Sequence, residues 1–331
     1  MEKLNIPISF LELALINKDS NTSETLQKTE EIAQTLDQLD YKRLWFAEHH
    51  NSAHIASSAT IVLMTHFAGK TKRIRIGSGG IMLPNHSPLI VAEQIGTLSA
   101  LYPDRIDLGL GRAPGTDQLT AQALNRDFYY AAQRFPEQVK QLQQYFSTDN
   151  EKAKVRAFPG EGTDVPIWIL GSSMDSARLS SDAGLPYSFA SHFAPTQLYQ
   201  AFAYYKESFK PSKYLDKPTT MSCINVIIAD TQAEAELQAN SMYKMFLNIV
   251  RGTREPMSPP IANLSNMWDS REEAYVKNML SHSFIGTSDS VHRQLLEFQK
   301  RIRTEEMMIT IPIYSHKIRL QTIQAIREIF D

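Results

Sequence analysis

Apolar residues follow two rhythms along this chain, and the rhythms alternate. Pro7 to Leu15 (PISFLELAL) is a short apolar run of strand length. From about Thr22 to Leu39, residues Leu26, Ile32, Leu36 and Leu39 fall at helical intervals; Ser23 or Thr22 can cap this helix and Glu24 favours its first turn. Arg43 to His50 (RLWFAEHH) returns to strand. Ile55 to Gly69 returns to helix and ends in a glycine suited to a C-terminal stop. Arg73 to Asp117 repeats the cycle. RIRIGSGG alternates and ends in small residues, SPLIVAEQIGTLSALYP has helical spacing, and RIDLGLG alternates again. A strand, a helix and a strand in that order predict a parallel pair. Ile106, Leu108 and Leu110 share one face, and Asp107, Gly109 and Gly111 the other. The glycine face predicts open space, and Arg112 at its tip predicts a flat, anionic ligand on the strand ends.

Past Arg112 the pattern loosens into a long connection (APGTDQLTAQALNRD), followed by a helix from about Phe135 to Tyr145. Val155 to Asp164 reads as a small hairpin or a surface loop. Pro166 to Gly171 is a buried-type fifth strand, and SSMDSARLSSDAG a helix with a capping Ser and a terminal Gly. Tyr187 to Phe193 is a sixth strand, with Pro195 starting the next helix. Thr220 to Ala229 is a seventh, followed by a helix capped by Thr231 with Glu234 as in a capping box. Arg251 to about His282 breaks the rhythm: it is rich in Pro, Ser and Asn without a period, which predicts a lid or a locally disordered loop. Ser288 or Asp289 then opens a helix through Phe298, Met307 to Tyr314 is the last strand, and Ile318 to Phe330 the closing helix. About eight such units predict an α/β fold, a (β/α)8 TIM barrel with an excursion after strand 4 and a lid-like insertion after strand 7. No linker interrupts them, so residues 1–331 read as a single domain.

Composition narrows the partners. The formal net charge of −2 gives no reason to expect nucleic acid or an anionic membrane. Cys223 is the sole cysteine, so no disulfide forms within the chain, and its apolar run TTMSCINVIIAD predicts a buried structural thiol. The N-terminus lacks a secretory pattern and no apolar run approaches the roughly 20 residues of a membrane span. A cytoplasmic protein is expected.

In a barrel, chemistry sits on the loops after the strands. Glu48-His49-His50, with His54 nearby, suggests a metal site at first. However, Trp45, Ala47 and His49 share one strand face while Glu48 and His50 share the other, so His49 and His50 point apart and no metal is expected. A single acid–base or hydrogen-bonding histidine fits, as does a merely packed one. Gly77-Ser78-Gly79-Gly80 is no dinucleotide fingerprint, because its glycines lead into another apolar run; it permits either close approach to a planar ring or a barrel bulge. Arg112 suits phosphate or carboxylate, though an ordinary surface arginine reads the same way. Ser172, Ser173 and Ser176, with Asp175, open a helix and form either an anion site or a plain cap. A phosphorylated planar cofactor explains Arg112 and the serine turn together. Glu12 is a weaker candidate, expected to face the barrel interior.

WFAEHH, the long piece RIGSGGIMLPNHSPLIVAEQIGTLSALYPDRIDLGLGRAPGTD and the segment PIWILGSSMDSARLSSDAGLPYSFAS resemble the bacterial luciferase-like monooxygenase family over nearly the whole chain. The resemblance is closest to its short single-chain oxidoreductases. It implies a (β/α)8 barrel using reduced FMN, bound reversibly, with O2 and an unidentified small organic substrate. It makes His49 the active-site histidine that steers protons around the oxygenated flavin. Gly79-Gly80 would match the small pair, cis in several members, that bulges against the isoalloxazine ring. Arg112 would bind the FMN phosphate, and Ser172, Ser173 and Ser176 would form the phosphate turn, although luciferase carries Glu at the position of Ser172. The 251–282 segment would be the family's mobile lid. The resemblance also implies a homodimer through the helices after strands 2 and 3, and a separate flavin reductase as a partner. The chain departs from true luciferase at Gly111, where that enzyme has a reactive cysteine, and in the APGTD loop; both argue against light emission. Two alternatives stand beside this reading: hydride transfer with a deazaflavin coenzyme, and a non-catalytic flavin-binding protein.

Overall fold

Ten strands form one sheet: β1 (Ile8–Glu12), β2 (Arg43–Phe46), β3 (Arg75–Ser78), β4 (Ile81–Met82), β5 (Ile106–Gly111), β6 (Ile167–Gly171), β7 (Tyr187–Phe189), β8 (Thr220–Ile228), β9 (Ser283–Gly286) and β10 (Glu306–Thr310). In the computed structural model, which describes residues 3–125 and 127–330, all pairings between these strands are parallel. Met1, Glu2, Arg126 and Asp331, which the expected single domain includes, lie outside the described residues. The circuit β1-β2-β3-β5-β6-β7-β8-β10 closes where β10 pairs with both β8 and β1, so eight strands make a TIM barrel.

Side chains alternate across this wall as strand geometry requires. Phe10, Leu44, Phe46, Ile76, Leu108 and Ile169 point outward into the core beneath the helices. Leu11, Trp45, Ala47, Trp168, Met221, Cys223 and Met308 form a separate cluster inside the barrel. Cys223 is thus a packed interior thiol, and burial raises its pKa. An ionic layer lies beneath that cluster, at the N-terminal ends of the strands. Arg43 donates to Asp107 and Glu306, each at 2.7 Å, and lies over Trp168 at 5.0 Å from the ring centre. Asp107 also accepts from Arg75 and from the Trp45 indole. Paired charges and indoles fill this end, so a ligand has access from the opposite mouth.

The structure revises several boundaries. β2 stops at Phe46 rather than His50 because the chain then bonds to loops: His49 N–H donates to Ser57 O and His50 N–H to Gly115 O. β7 stops at Phe189 rather than Phe193, where Ser191 N–H turns back to Phe189 O. The helix expected from Pro195 begins at Leu198, after a turn in which Leu198 N–H donates to Pro195 O. The connection after Arg112 holds two short helices, Gln118–Leu124 and Phe128–Gln133. Residues 155–164 form a loop with no strand.

The 251–282 segment is tied down rather than loose. Met257 is buried and exchanges backbone hydrogen bonds with Ile16 and Lys18, and Arg254 donates to Asp117 at 2.5 Å. Its second half is the helix Ser270–Met279, capped by Asp269 with Glu272 in a capping box. β9 follows and pairs with the upper half of β8.

Glu12 is also corrected. Ser9 and Leu11 take the inward positions of β1, so Glu12 points outward, where it accepts from Arg319 at 2.5 Å and from Ala14 N–H at 2.6 Å. Among the described residues, no helix is long and apolar enough to cross a membrane.

Candidate active site

The C-terminal mouth of the barrel gathers most of the residues singled out from the sequence. His49 follows β2 two positions beyond the inward Ala47, while Glu48 between them turns the other way. Glu48 is a hub. It accepts from His50 and His86 at 2.9 Å each, and from Asn85 and the Met82 N–H at 3.1 Å each. Burial opposes its ionisation, but the hydrogen bonds from His50, His86 and Asn85 prevail and hold the carboxyl down at about 2. The Glu48 carboxylate therefore fastens the loop after β2 to the segment that begins at β4.

His49 differs from its neighbours. Its Nδ1 is buried and has no partner among the described residues. Burial foremost, helped by His54, lowers its pKa to about 4, so the ring is neutral near pH 7. Glu48 pairs with His50 and not with His49. No group of three or more His, Cys, Asp or Glu forms a metal-ion set among the described residues.

Gly79-Gly80 links β3 to β4, and its peptide bond is cis. A Cβ at Gly79 would lie 2.6 Å from Leu11 Cδ1, and one at Gly80 would lie 2.9 Å from Gly109 O. Backbone this close leaves no room for a side chain at Gly80, whereas at Gly79 the Leu11 side chain would have to shift. The open glycine face expected on β5 is absent. A Cβ at Gly109 would meet Ser78 O at 2.1 Å, and the two strands are drawn together there by the Ser78 hydroxyl, which accepts from Gly109 N–H and donates to Gly109 O. The glycines let strands approach each other instead of leaving a vacant shelf.

Arg112 extends from the end of β5 and is exposed; its Nη1 lies 3.7 Å from Asp175 Oδ2. Asp175 belongs to the first turn of the helix Met174–Ala183, whose N-cap is Ser173. The arginine and the serine turn thus meet, as one phosphate site would need. Ser176 is less free than its position suggests, since its hydroxyl donates to Ser173 O at 2.7 Å and lies 2.9 Å from Tyr187 OH. The Met174 N–H is taken by Gln197.

Two residues at the mouth carried no signal that sequence reasoning used. His192, after β7, is buried, and its Nδ1 has no partner among the described residues. Asn225, in β8, is fully buried with Oδ1 unpartnered. Asn225 continues the inward alternation of Met221 and Cys223, so a polar residue on an interior face was the available clue.

A shallow cleft of about 310 Å3, lined by Gln143, Ser147, Asp149, Lys213 and Tyr214 among others, precedes the N-terminal ends of β6 and β8. It lies at the wrong end of the barrel for chemistry on the strand tips, and the mouth is the better candidate.

Residues 8–305 match the family model for luciferase-like monooxygenases. The chain belongs to the luciferase-like monooxygenase family. It is 45% identical to the uncharacterized protein YvbT of Bacillus subtilis, with 98% of this chain and 96% of that one covered. It is 43% identical to a luciferase-like monooxygenase of Escherichia coli K12, with 98% and 97% covered. Among solved structures, apo-MsnO8 superposes with a TM-score of 0.91 at 28% identity over 98% of each chain. Two more distant likenesses bear on the fold alone. The oxygenating constituent of 3,6-diketocamphane monooxygenase from Pseudomonas putida, in complex with FMN, has a TM-score of 0.74 at 13% identity, covering 98% of this chain and 97% of that one. An F420-dependent secondary alcohol dehydrogenase has a TM-score of 0.67 at 13% identity, covering 98% and 99%. The barrel fold is thus shared with FMN- and F420-dependent enzymes, and membership of the luciferase-like monooxygenase family supports a flavin-type oxidoreductase.

Proposed function

We propose that this protein is an FMN-dependent monooxygenase that uses reduced flavin and O2 on a small organic substrate. The observation that carries this reading is the approach of Arg112 to the first turn of the helix Met174–Ala183 at the barrel mouth. A guanidinium beside a helix N-terminus suits a phosphate. The FMN complex of the diketocamphane enzyme supports a flavin phosphate as that ligand. The buried, unpartnered polar atoms of His49, His192 and Asn225 fit a bound polar ring system in the same mouth.

In this reading Arg112, Ser172, Ser173 and Ser176 hold the phosphate and Gly79-Gly80 lies against the flavin ring. Bound reduced FMN supplies the electrons that activate O2. The neutral ring of His49 takes up or returns a proton at Nδ1, which has no partner among the described residues. The 251–282 segment, fastened by Arg254 to Asp117, screens the mouth from water. A separate flavin reductase would supply the cofactor in reduced form. Val62 on the helix Thr60–Lys70 and Ile90 and Leu101 on the helix Pro88–Leu101 are exposed, which supports a homodimer through those helices.

Anaerobic titration with reduced FMN and reduced F420, followed by mixing with O2, tests the proposal. Binding of FMN in preference to F420, with an oxidation course unlike that of free reduced FMN, is expected. Preference for F420 with no response to O2 would make this a hydride-transfer enzyme. An oxidation course unchanged by His49→Ala would make it a flavin-binding protein without catalysis.

A further inference from the structure

β2 and β7 are four strands apart in either direction around the circuit, so the loops that follow them rise from opposite walls of the barrel. His49 comes from one wall and His192 from the other. Among the described residues both rings carry a buried Nδ1 without a partner, and the buried Oδ1 of Asn225, on the neighbouring strand β8, also lacks one. Each such atom costs about 1–3 kcal/mol if left unpaired, and native structures leave few of them. Three gathered at one mouth mark a place that a polar ligand completes.

His192 is held with care for a residue in a turn. Asn225 Nδ2 donates to His192 O at 2.6 Å and to Ser283 Oγ at 3.0 Å, so the amide is anchored while its oxygen is spare. The preceding Ser191 hydroxyl donates to Cys223 O at 2.6 Å and lies 2.9 Å from the Ser222 hydroxyl. The His192 ring packs edge-on against Phe193 with 4.8 Å between centres. The backbone is thus fixed from β8 while the imidazole is left without a protein partner at Nδ1.

We propose that His192 is a second catalytic residue of this site, its ring and that of His49 facing the same part of the ligand from opposite walls. The proposal deepens the monooxygenase reading and rests on it for the identity of the ligand. The electrostatics of the two rings agree with this placement. Burial foremost, and then the charge on His49, lowers the His192 pKa to about 3, so His49 protonates first and opposes a second proton. Glu48, His50 and His54 also act on His49, with Arg254 acting on His54.

Imidazole 15N NMR titration of the protein without flavin tests the pair directly. In His49→Gln the protonation midpoint of His192 is expected to rise, because the opposing charge is gone. An unchanged midpoint overturns the proposal, whatever flavin does. The second arm follows oxidation of bound reduced FMN by O2 across pH, or turnover of bound F420 if the wild type prefers that cofactor. His192→Gln is expected to change the rate by about tenfold or more and to alter its pH profile. His192→Asn serves if the first variant folds poorly. A rate and profile equal to wild type would leave His192 a packing residue and overturn the catalytic role. Failure of the wild type to bind either cofactor would instead refute the flavin reading, with the pair still judged by NMR.

Discussion

Arg112 Nη1 and Asp175 Oδ2 lie 3.7 Å apart, a cation at the end of β5 and a carboxylate in the first turn of the next unit's helix. Both are exposed, so the pair itself adds little stability. Its significance is competition: a phosphate bound at Arg112 must contend with Asp175. Arg112→Ala is expected to weaken reduced-FMN binding by about ten- to a hundredfold, the worth of one charge-assisted contact. Asp175→Asn is expected to strengthen it by removing a like charge. Anaerobic titration of both variants measures this, and the same shift in both would refute the phosphate assignment.

Glu48 accepts hydrogen bonds from four groups, one on the loop after β2 and three on the segment that begins at β4. Glu48→Ala strands those donors and is expected to cost about 2–4 kcal/mol, read from urea denaturation at neutral pH. Because its folded pKa of about 2 lies below its ordinary value, its contribution is full above about pH 4.5 and is lost as pH falls through 2. A wild-type midpoint in the variant would show that the hub is dispensable.

His49 and His192 give an earlier acid response. Their folded pKa values, about 4 and about 3, lie below the ordinary 6.5 of histidine. The unfolded chain therefore binds protons first, and stability is lost as pH falls from 6.5 toward those values. The double variant His49→Gln/His192→Gln is expected to flatten the fall in urea midpoint between pH 6.5 and 5. An equally steep fall would mean that other groups carry it.

Arg254 joins the 251–282 segment to Asp117 and to the Asn51 carbonyl. Arg254→Ala is expected to speed amide hydrogen exchange around Met257 and to leave the strands unaffected. Exchange unchanged at Met257 would show that the buried methionine alone fastens the segment.

Val62 and Ile90 stand exposed on adjacent helices. Val62→Lys with Ile90→Lys is expected to convert a dimer to a monomer in light scattering after gel filtration. A monomeric wild type would remove this interface from the account.

The eight barrel strands were legible because inward and outward residues alternate along each, as in Ile106, Leu108 and Leu110 against Asp107, Gly109 and Gly111. Strand ends were not, since Ala47 to His50 keeps a strand-like composition after its backbone has turned to Ser57 and Gly115. β9 was hidden just after a Pro- and Ser-rich region whose order comes from distant anchors such as Ile16 and Asp117. Arg112 and the serine turn were legible as separate anion-binding patterns, and the fold brings them together. His192 was not, because its meaning depends on barrel closure, which sets β7 opposite β2. The glycines of β5 were misread as vacant space because only the fold shows that Ser78 and Leu170 fill it.

The central claim is tested most directly by a crystal structure of the protein soaked with FMN. The account predicts the phosphate within hydrogen-bond distance of Arg112 and the Ser172–Ser176 turn, with the flavin ring against Gly79-Gly80 and His49 at its edge. Flavin bound elsewhere, or a phosphate that makes no contact with Arg112, would contradict it.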